Sequence, residues 1–81
     1  MEVKEILQQV NDIFIKELDN TAIKINEHTT ANDVEEWDSL THIQLIVGVE
    51  KQFKIKFTSA EIHNFKNVGD MCYAIQSKLS K

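Results

Sequence analysis

The stretch that decides the fold of this chain is WDSLTHIQLIVGVE, residues 37–50. A long polar segment ends there, and the most apolar segment of the sequence begins. Its apolar residues recur too regularly for a loop, which predicts a helix from Ser39 to about Phe53. Asp38 lies where a helix N-cap belongs, so Ser39 takes the first helical position, where backbone N–H groups lack intrahelical partners. A hydroxyl in this position has no base, acid or glycine cradle of its own, which favours an attachment point over a nucleophile.

The predicted helix carries apolar residues on two faces. One face holds Leu45, Ile46, Val49 and Phe53, and the other holds Leu40, Ile43 and Val47. The centres of these faces lie about 140° apart on the helical wheel, whereas a helix in a small bundle needs only one. Two interpretations stay open: a central helix buried on most sides, or a second face that binds another protein. Gly48 costs the helix about 1 kcal/mol relative to Ala, and it is either tolerated or permits close approach of another segment.

Upstream, apolar residues at spacings of three and four predict an amphipathic helix of about four turns. This periodic set is Val3, Ile6, Leu7, Val10, Phe14 and Leu18. Ile13 widens the apolar face, Ile15 falls outside it, and Asp19-Asn20 marks the predicted end.

Two further helices are predicted downstream. Thr58 and Glu61 form a capping-box pattern that opens a short helix with two apolar residues, Ile62 and Phe65. Asn67 caps a last helix whose apolar residues again keep three–four spacing: Val68, Met71, Cys72, Ile75 and Leu79. Lys78 and Lys81 follow at its C-terminal end, where the helix dipole favours cations.

The segment between the first two helices, residues 19–38, is long, because about twenty residues without regular structure are uncommon in a compact domain. Four apolar residues are spaced so as to anchor it to a core: Ile23, Ile25, Val34 and Trp37. We expect an anchored loop with a helical turn near residues 30–33. Residues 23–25 and 53–57 alternate with period two, so a small strand pair, and with it an α+β fold, is the alternative to extended loops.

Length and composition favour one small helical domain, residues 1–81, near the lower size limit for a single hydrophobic core. The sequence has no proline and only two glycines, which argues for helices. We predict an all-α fold: a small four-helix bundle of three longer helices and one short helix, with a long first loop. Without a signal-peptide pattern or a long apolar run, we expect a soluble cytoplasmic monomer with no membrane contact.

The net charge of −4 argues against nucleic-acid binding, which requires a basic face to neutralise phosphates. Residues 1–38 hold ten acids and three lysines, whereas residues 39–81 hold three acids and six lysines. Such asymmetry produces an oriented field that can steer partners, although surface charge more often only keeps a protein soluble. Glu35, Glu36 and Asp38 are either a solvated loop with an N-cap or a landing site for a basic patch of a partner.

Catalysis and metal binding are poorly supported. Ser39 and His42 lie at i and i+3, so their side chains can approach each other, as a hydrolase would require. Nothing nearby supplies an orienting acid, an oxyanion hole or a substrate cleft, so we expect no enzyme and interpret His42 as an exposed helix histidine. His28, His42, His63 and Cys72 match no metal-ligand spacing, which predicts no metal site. The lone Cys72 excludes an intramolecular disulfide and is interpreted as a small core residue.

Several motifs of the sequence occur together in one known family. They are the triplet Asp38-Ser39-Leu40, the apolar helix that runs from it to Glu50-Lys51-Gln52-Phe53, then Ile55, Phe57 and the Val68-Gly69-Asp70 start of the last helix. In this order, with the long first loop and the short third helix, nearly the whole chain resembles an acyl carrier protein. The triplet alone is a weak signal, but its mid-chain position at the start of an apolar helix is a strong one.

The resemblance implies that Ser39 is the attachment point of 4′-phosphopantetheine, transferred from coenzyme A by a separate phosphopantetheinyl transferase. Asp38 then caps the helix beneath the arm, whose thiol holds acyl or aminoacyl groups as thioesters for loading and transferring enzymes. A phosphodiester at a helix N-terminus gains about 0.3–1 kcal/mol from the macrodipole. The resemblance also implies an acyl chain that enters between the helices, and a partner-binding surface of Leu40, Ile43, Gln44, Val47, Glu50, Lys51 and Phe57.

Three positions depart from the family pattern. Members that serve fatty acid synthesis usually carry an acidic second helix, but Thr41, Gln44 and Lys51 stand here where acids are common. From Asp38 to Lys56 there are two acids and three lysines, so docking on a generic fatty acid synthase would lose electrostatic steering. We expect a specialised carrier, serving surface-polysaccharide modification, a secondary metabolite such as a polyketide, or aminoacyl transfer. Two alternatives stay open: a peptidyl or aminoacyl carrier with the same modification, and an unmodified helical interaction module.

Overall fold

The computed structural model describes residues 2–79, and this part of the chain contains four helices and no strand. The helices are α1 (Val3–Leu18), α2 (Ser39–Phe53), α3 (Ser59–Asn64) and α4 (Val68–Leu79). The predicted all-α bundle, with three longer helices and one short helix, is confirmed. The alternative strand pair is wrong, because residues 23–25 and 54–57 form loops whose apolar side chains pack against the core, and Phe53 is the last residue of α2.

The helix ends follow the caps that the sequence predicts. α1 ends at Leu18 and is capped by Asp19, whose left-handed backbone (φ 52°, ψ 46°) is adopted more readily by Asp than by most residues. At α3 the Thr58 hydroxyl accepts the Glu61 N–H at 3.2 Å, and the Glu61 carboxylate accepts the Thr58 N–H at 2.9 Å. At α4 the side-chain oxygen of Asn67 accepts the Asp70 N–H at 2.9 Å. These bonds satisfy N–H groups at the helix starts, which have no partner within the helix.

Lys78 lies in the last turn of α4, as predicted, and links α4 to α3. Its Nζ atom is 3.0 Å from the Glu61 carboxylate. An ion pair this close to solvent contributes only about 0–1 kcal/mol, so it supports the position of α3 weakly. The second predicted lysine, Lys81, lies outside the described residues.

The core lies between α1, α2 and α4, and α1 packs against both of the others. The three helices bury Ile6, Val10, Phe14 and Leu18 from α1; Leu45, Ile46, Val49 and Phe53 from α2; and Val68, Met71, Cys72 and Ile75 from α4. Ile15, which falls outside the predicted face of α1, is partly buried. Cys72 is the predicted core residue, and burial, with a smaller effect of the Glu27 charge, raises the pKa of its thiol to about 12. A thiol held in its protonated form is a poor nucleophile.

The long first loop is anchored as predicted. Its apolar residues lie against the core, with Ile25 partly buried and three others buried: Ile23, Val34 and Trp37. The rings of Trp37 and Phe14 meet edge to face with centroids 5.0 Å apart. The expected turn is a single hydrogen-bonded turn, closed by the Asp33 N–H and the Thr30 carbonyl at 2.9 Å.

The same loop closes the start of α4. The N–H groups of Val68 and Gly69 donate to the carbonyls of Thr29 and Glu27 at 2.9 and 2.8 Å. A Cβ atom at Gly69 would lie 2.7 Å from the Glu27 carbonyl oxygen, a distance that real Cβ atoms essentially never show. Glycine is therefore what allows the loop to approach α4 this closely.

Gly48 permits a close approach between helices. A Cβ atom at this position would lie 3.0 Å from the Cγ2 atom of Ile13 and 3.4 Å from the carboxylate of Glu17, both on α1. Of the two interpretations of Gly48, close approach is therefore the correct one. None of the helices in residues 2–79 combines the length and the hydropathy needed to cross a membrane.

Candidate functional site

Ser39 lies at the first position of α2 with its side chain exposed to solvent. The N-cap expected at Asp38 is present: one carboxylate oxygen accepts the N–H groups of Leu40 and Thr41 at 3.0 and 2.9 Å. Thr41 completes a capping box, because its hydroxyl oxygen accepts the Asp38 N–H at 2.8 Å and donates to the Glu36 carbonyl at 2.8 Å. The backbone on either side of Ser39 is thus fixed. Within residues 2–79 the Ser39 hydroxyl has no hydrogen-bond partner.

The Asp38 carboxylate is committed to the helix. The Thr41 N–H, assisted by the Thr41 hydroxyl and the Leu40 N–H, holds the pKa of Asp38 below its ordinary value, because these donors favour the ionised form. A carboxylate in this state accepts a proton poorly, so Asp38 supplies no base for Ser39. Of the acidic residues before α2, Glu36 is also engaged, since it accepts a hydrogen bond from the Asn20 amide at 2.8 Å.

His42 is half-buried, so its interpretation as an exposed helix histidine is wrong. Its Nδ1 atom accepts the indole N–H of Trp37 at 3.0 Å, and its Nε2 atom lies 3.2 Å from the Ile62 carbonyl oxygen. The His42 and Trp37 rings are stacked with centroids 5.9 Å apart. Both ring nitrogens therefore have partners other than Ser39, and the arrangement lacks the serine–base contact that a hydrolase requires.

A shallow cleft of about 260 Å³ opens beside Ser39. Its walls are the start of α2 on one side and the end of α3 on the other, and His63 and Lys66 lie on the second wall. The exposed hydroxyl, the positive end of the α2 dipole and the open space beside them fit a phosphate-linked group on Ser39.

The second apolar face of α2 is exposed. The exposed fractions of its side chains are 71% for Leu40, 51% for Ile43 and 41% for Val47. The opposite face of the helix is buried in the core. Of the two interpretations, an accessible face is therefore correct, and a helix buried on most sides is wrong.

The other predicted partner-binding residues lie in two different environments. Gln44 and Lys51 are exposed and continue the apolar face toward the end of α2. Glu50 and Phe57 are half-buried and bonded to each other, since the Glu50 carboxylate accepts the Phe57 N–H at 2.8 Å. The Phe57 ring also meets the Phe65 ring edge to face at 5.2 Å between centroids. These last two positions therefore hold the loop after α2 against the bundle.

Two sets of hydrogen bonds in this region could not be predicted from the sequence. One links Trp37 through His42 to Ile62, and the other joins Glu50 to Phe57. Each joins residues of different elements, and no spacing in the sequence signals it. The one local signal was the presence of a histidine one turn after Ser39. For metals, residues 2–79 contain no group of three or more His, Cys, Asp or Glu side chains that could hold an ion.

Comparison with known proteins gives consistent matches along the chain. Residues 2–75 match the family described as "Phosphopantetheine attachment site". The chain is 29% identical over 77 residues to the acyl carrier protein of Phenylobacterium zucineum, covering 95% of this chain and 98% of that one. It is 28% identical over 83 residues to the acyl carrier protein homolog of Mycoplasma genitalium, covering 100% and 96% of the two chains.

A solved structure agrees with these matches. The solution NMR structure of a holo acyl carrier protein from Geobacter metallireducens has a TM-score of 0.86 and 40% sequence identity to this chain. The superposition covers 91% of this chain and 85% of that one.

Proposed function

The chain belongs to the acyl carrier protein family, defined by a phosphopantetheine attachment site, and on this premise we propose that Ser39 is the attachment residue. The observation that carries the proposal is the position of Ser39: an exposed, unbonded hydroxyl at the start of α2, beside an open cleft. The adjacent exposed apolar face of α2 supports it, because an enzyme that binds this face reaches Ser39 directly.

The protein is a carrier rather than an enzyme, and its cofactor is a covalently attached 4′-phosphopantetheine. When bound, this group supplies an arm that ends in a thiol, on which acyl groups are held as thioesters. The contribution of the chain is positional, since a tether keeps the cargo at high effective concentration near successive enzymes. Family membership implies two kinds of partner, a phosphopantetheinyl transferase and enzymes of acyl metabolism.

In the attachment reaction Ser39 supplies the nucleophilic oxygen. Its bond to the pantetheine-bearing phosphorus of coenzyme A forms, the bond between the two phosphates breaks, and the adenosine-containing half leaves. The hydroxyl proton passes to the transferase, because Asp38 is committed to the start of α2 and His42 to Trp37 and Ile62. The product phosphodiester lies at the positive end of the α2 dipole, which stabilises it by about 0.3–1 kcal/mol.

The attachment site is tested by incubating the unmodified protein with coenzyme A and a broad phosphopantetheinyl transferase, then measuring intact mass. We expect one added phosphopantetheine on the wild type and on Ser59→Ala, and none on Ser39→Ala. Ser59 is the matched control, because it too is exposed and follows a capping threonine at the first position of a helix, α3. Modification of a folded Ser39→Ala variant, or none of the wild type, contradicts the proposal and favours an unmodified interaction module.

The partner-binding surface in this proposal is the exposed side of α2. Its apolar residues Leu40, Ile43 and Val47 make the main contact, and Gln44 and Lys51 border it. Glu50 and Phe57 act at its far end by fixing the loop that follows α2. Hydrophobic side chains exposed side by side on one helix are typical of a protein-binding surface.

The finer proposal is a specialised pathway rather than bulk fatty acid synthesis. Lys51, Lys54 and Lys56 are all exposed at the C-terminal end of α2 and just beyond it. The far end of the surface is therefore cationic, which suits a partner whose own docking surface is acidic or neutral.

The cargo is tested on the modified protein. We expect loading by acyl-transferring enzymes, because relatives of this chain are acyl carrier proteins. Parallel reactions with acyl and aminoacyl donors, followed by intact-mass measurement, distinguish the acyl carrier from a peptidyl or aminoacyl carrier. Loading with amino acids alone contradicts the acyl assignment and leaves attachment at Ser39 unaffected.

A further inference from the structure

Helix α3 contributes few contacts to the buried core. It contributes no buried side chain within the described chain, although Ile62 and the neighbouring Phe65 are partly buried. Its other links include the Glu61–Lys78 ion pair, the hydrogen bond between the Ile62 carbonyl and His42, and the edge-to-face contact of Phe65, its C-cap residue, with Phe57. Elements with few buried apolar contacts open at low free-energy cost, so the bond to His42 has a large influence on where α3 lies.

The geometry fixes the protonation of the His42 ring. An indole N–H can only donate, so the Nδ1 atom that lies 3.0 Å from the Trp37 nitrogen carries no hydrogen. The hydrogen of the neutral ring is then on Nε2, which donates to the Ile62 carbonyl at 3.2 Å. One neutral tautomer of His42 thus joins the first loop, α2 and α3 immediately beside Ser39.

We infer that His42 is a positioning residue: in its neutral form it holds α3 against the start of α2, and on protonation it releases α3. A proton added at Nδ1 would point at the Trp37 N–H, and two donors cannot share a hydrogen bond. The ring must then turn or move away from the buried Trp37, and the bond from Nε2 to Ile62 is lost with it.

The charged groups around His42 support release. On the α3 side, His63 and Lys66 line the same cleft, and a positive His42 would be repelled by Lys66. Glu61 gives little compensation, because its carboxylate is bonded to the Thr58 N–H and to Lys78. On the α2 side, Asp38 lines the same cleft, and its ionised carboxylate, fixed at the N-cap, attracts a positive His42 toward the start of α2 rather than toward α3.

The consequence concerns the cleft beside Ser39, whose second wall is the end of α3. Release of α3 removes this wall while α2 and its docking residues stay in the core-packed bundle. If Ser39 bears the arm, as proposed above, the surroundings of the arm change with the protonation of His42. The inference itself concerns the unmodified chain, so it can fail or hold independently of the attachment proposal.

The test uses the single tryptophan of the chain as a local probe. In ¹H–¹⁵N NMR spectra of the unmodified protein, we expect the Trp37 indole peak and the Ile62 and His63 amide peaks to shift together as the pH is lowered and histidine side chains gain a proton. His42→Gln removes the imidazole ring. Its side-chain amide can still accept a hydrogen bond from Trp37 and donate one to the Ile62 carbonyl, so it should keep α3 in place and abolish the joint shift. His42→Ala should move the α3 peaks at every pH.

Matched controls are His63→Gln, which removes the other histidine of the cleft, and His28→Gln, which removes the exposed histidine of the first loop. Both should keep the joint shift of the Trp37 and α3 peaks. The inference is overturned by α3 peaks that stay unchanged in a folded His42→Ala variant. It is equally overturned by a joint shift that persists in His42→Gln or disappears in His63→Gln.

Discussion

Ser39 is presented to solvent by its neighbours in the chain. Asp38 fixes the start of α2 from one side, and Leu40 on the other side points outward with 71% of its side chain exposed. The hydroxyl therefore lies between a rigid backbone cap and an apolar contact residue. If Leu40 is a docking residue, as proposed, a bound enzyme finds the Ser39 hydroxyl in a fixed position, which favours reaction at that oxygen.

Asp38→Asn removes the negative charge at the N-cap but keeps the capping hydrogen bonds, because Asn is about as good an N-cap as Asp. The pKa of Asp38 is lowered in the folded protein from its ordinary value of 3.8. The ionised carboxylate therefore adds stability above that value, and this stability is lost as the pH falls through the lower folded-state pKa. We expect the wild type to lose more stability than Asp38→Asn between neutral pH and about pH 3 in urea denaturation. Parallel losses in the two proteins would contradict this.

At the residue scale, the sequence predicts what depends on near neighbours. Ser39, Asp38 and the Thr58–Glu61 capping box were all predicted, because each cap is formed within a few residues of the chain. His42 was interpreted wrongly, because its partners, Trp37 and the Ile62 carbonyl, become its neighbours only when three elements have packed together.

The two glycines make a matched pair at the scale of the elements. In Gly69→Ala the new methyl would lie 2.7 Å from the Glu27 backbone carbonyl, so the loop or α4 must shift, at a cost of about 1–3 kcal/mol. In Gly48→Ala the methyl meets the end of the Ile13 side chain at 3.0 Å, which can move. The gain of about 1 kcal/mol in helix propensity then offsets much of the strain. Free energies of unfolding from urea titration should show a clear loss for Gly69→Ala only, and equal losses would contradict the difference.

The two faces of α2 predict opposite responses to truncation. Ile46 is buried and Ile43 is 51% exposed. Ile46→Ala should destabilise the protein by about 2–5 kcal/mol, whereas Ile43→Ala should cost less than about 1 kcal/mol. If Ile43 belongs to the docking surface, Ile43→Ala should leave stability nearly unchanged but raise the KM of the phosphopantetheinyl transferase for the carrier. An unchanged KM for both Ile43→Ala and Leu40→Ala would remove these residues from the docking surface for that enzyme.

The helix bounds could be predicted because apolar periodicity and helix caps depend on residues that are close together in the sequence. The accessible face of α2 was left open, since a pattern shows that two apolar faces exist but not which of them α1 and α4 cover. Period-two alternation was misleading in the loops. It resembled strands, but it reflects apolar side chains that reach the core from a loop: Ile25, Ile55 and Phe57.

At the scale of the whole molecule, the distribution of charge is the feature that bears on pathway. Lys51→Glu, Lys54→Glu and Lys56→Glu together make the C-terminal end of α2 and the loop after it acidic. We expect the modified triple variant to be a better substrate than the wild type for standard fatty acid synthase enzymes, with a KM roughly tenfold lower, because steering toward their basic surfaces is restored.

The matched control for this variant replaces Lys4, Lys16 and Lys24 by Glu, which changes the net charge equally at exposed positions on α1 and the first loop. Its KM should stay close to the wild-type value. Efficient processing of the wild-type carrier by the fatty acid synthase enzymes would count against a specialised pathway.

The bond between the first loop and α4 has a consequence for how the molecule is made. The carbonyls of Glu27 and Thr29 accept hydrogen bonds from N–H groups that lie about forty residues later in the chain. During synthesis on the ribosome, α1 can form early, but this loop reaches its final path only after the last helix has emerged. The nascent chain can therefore complete this bundle only after α4 has emerged from the ribosome.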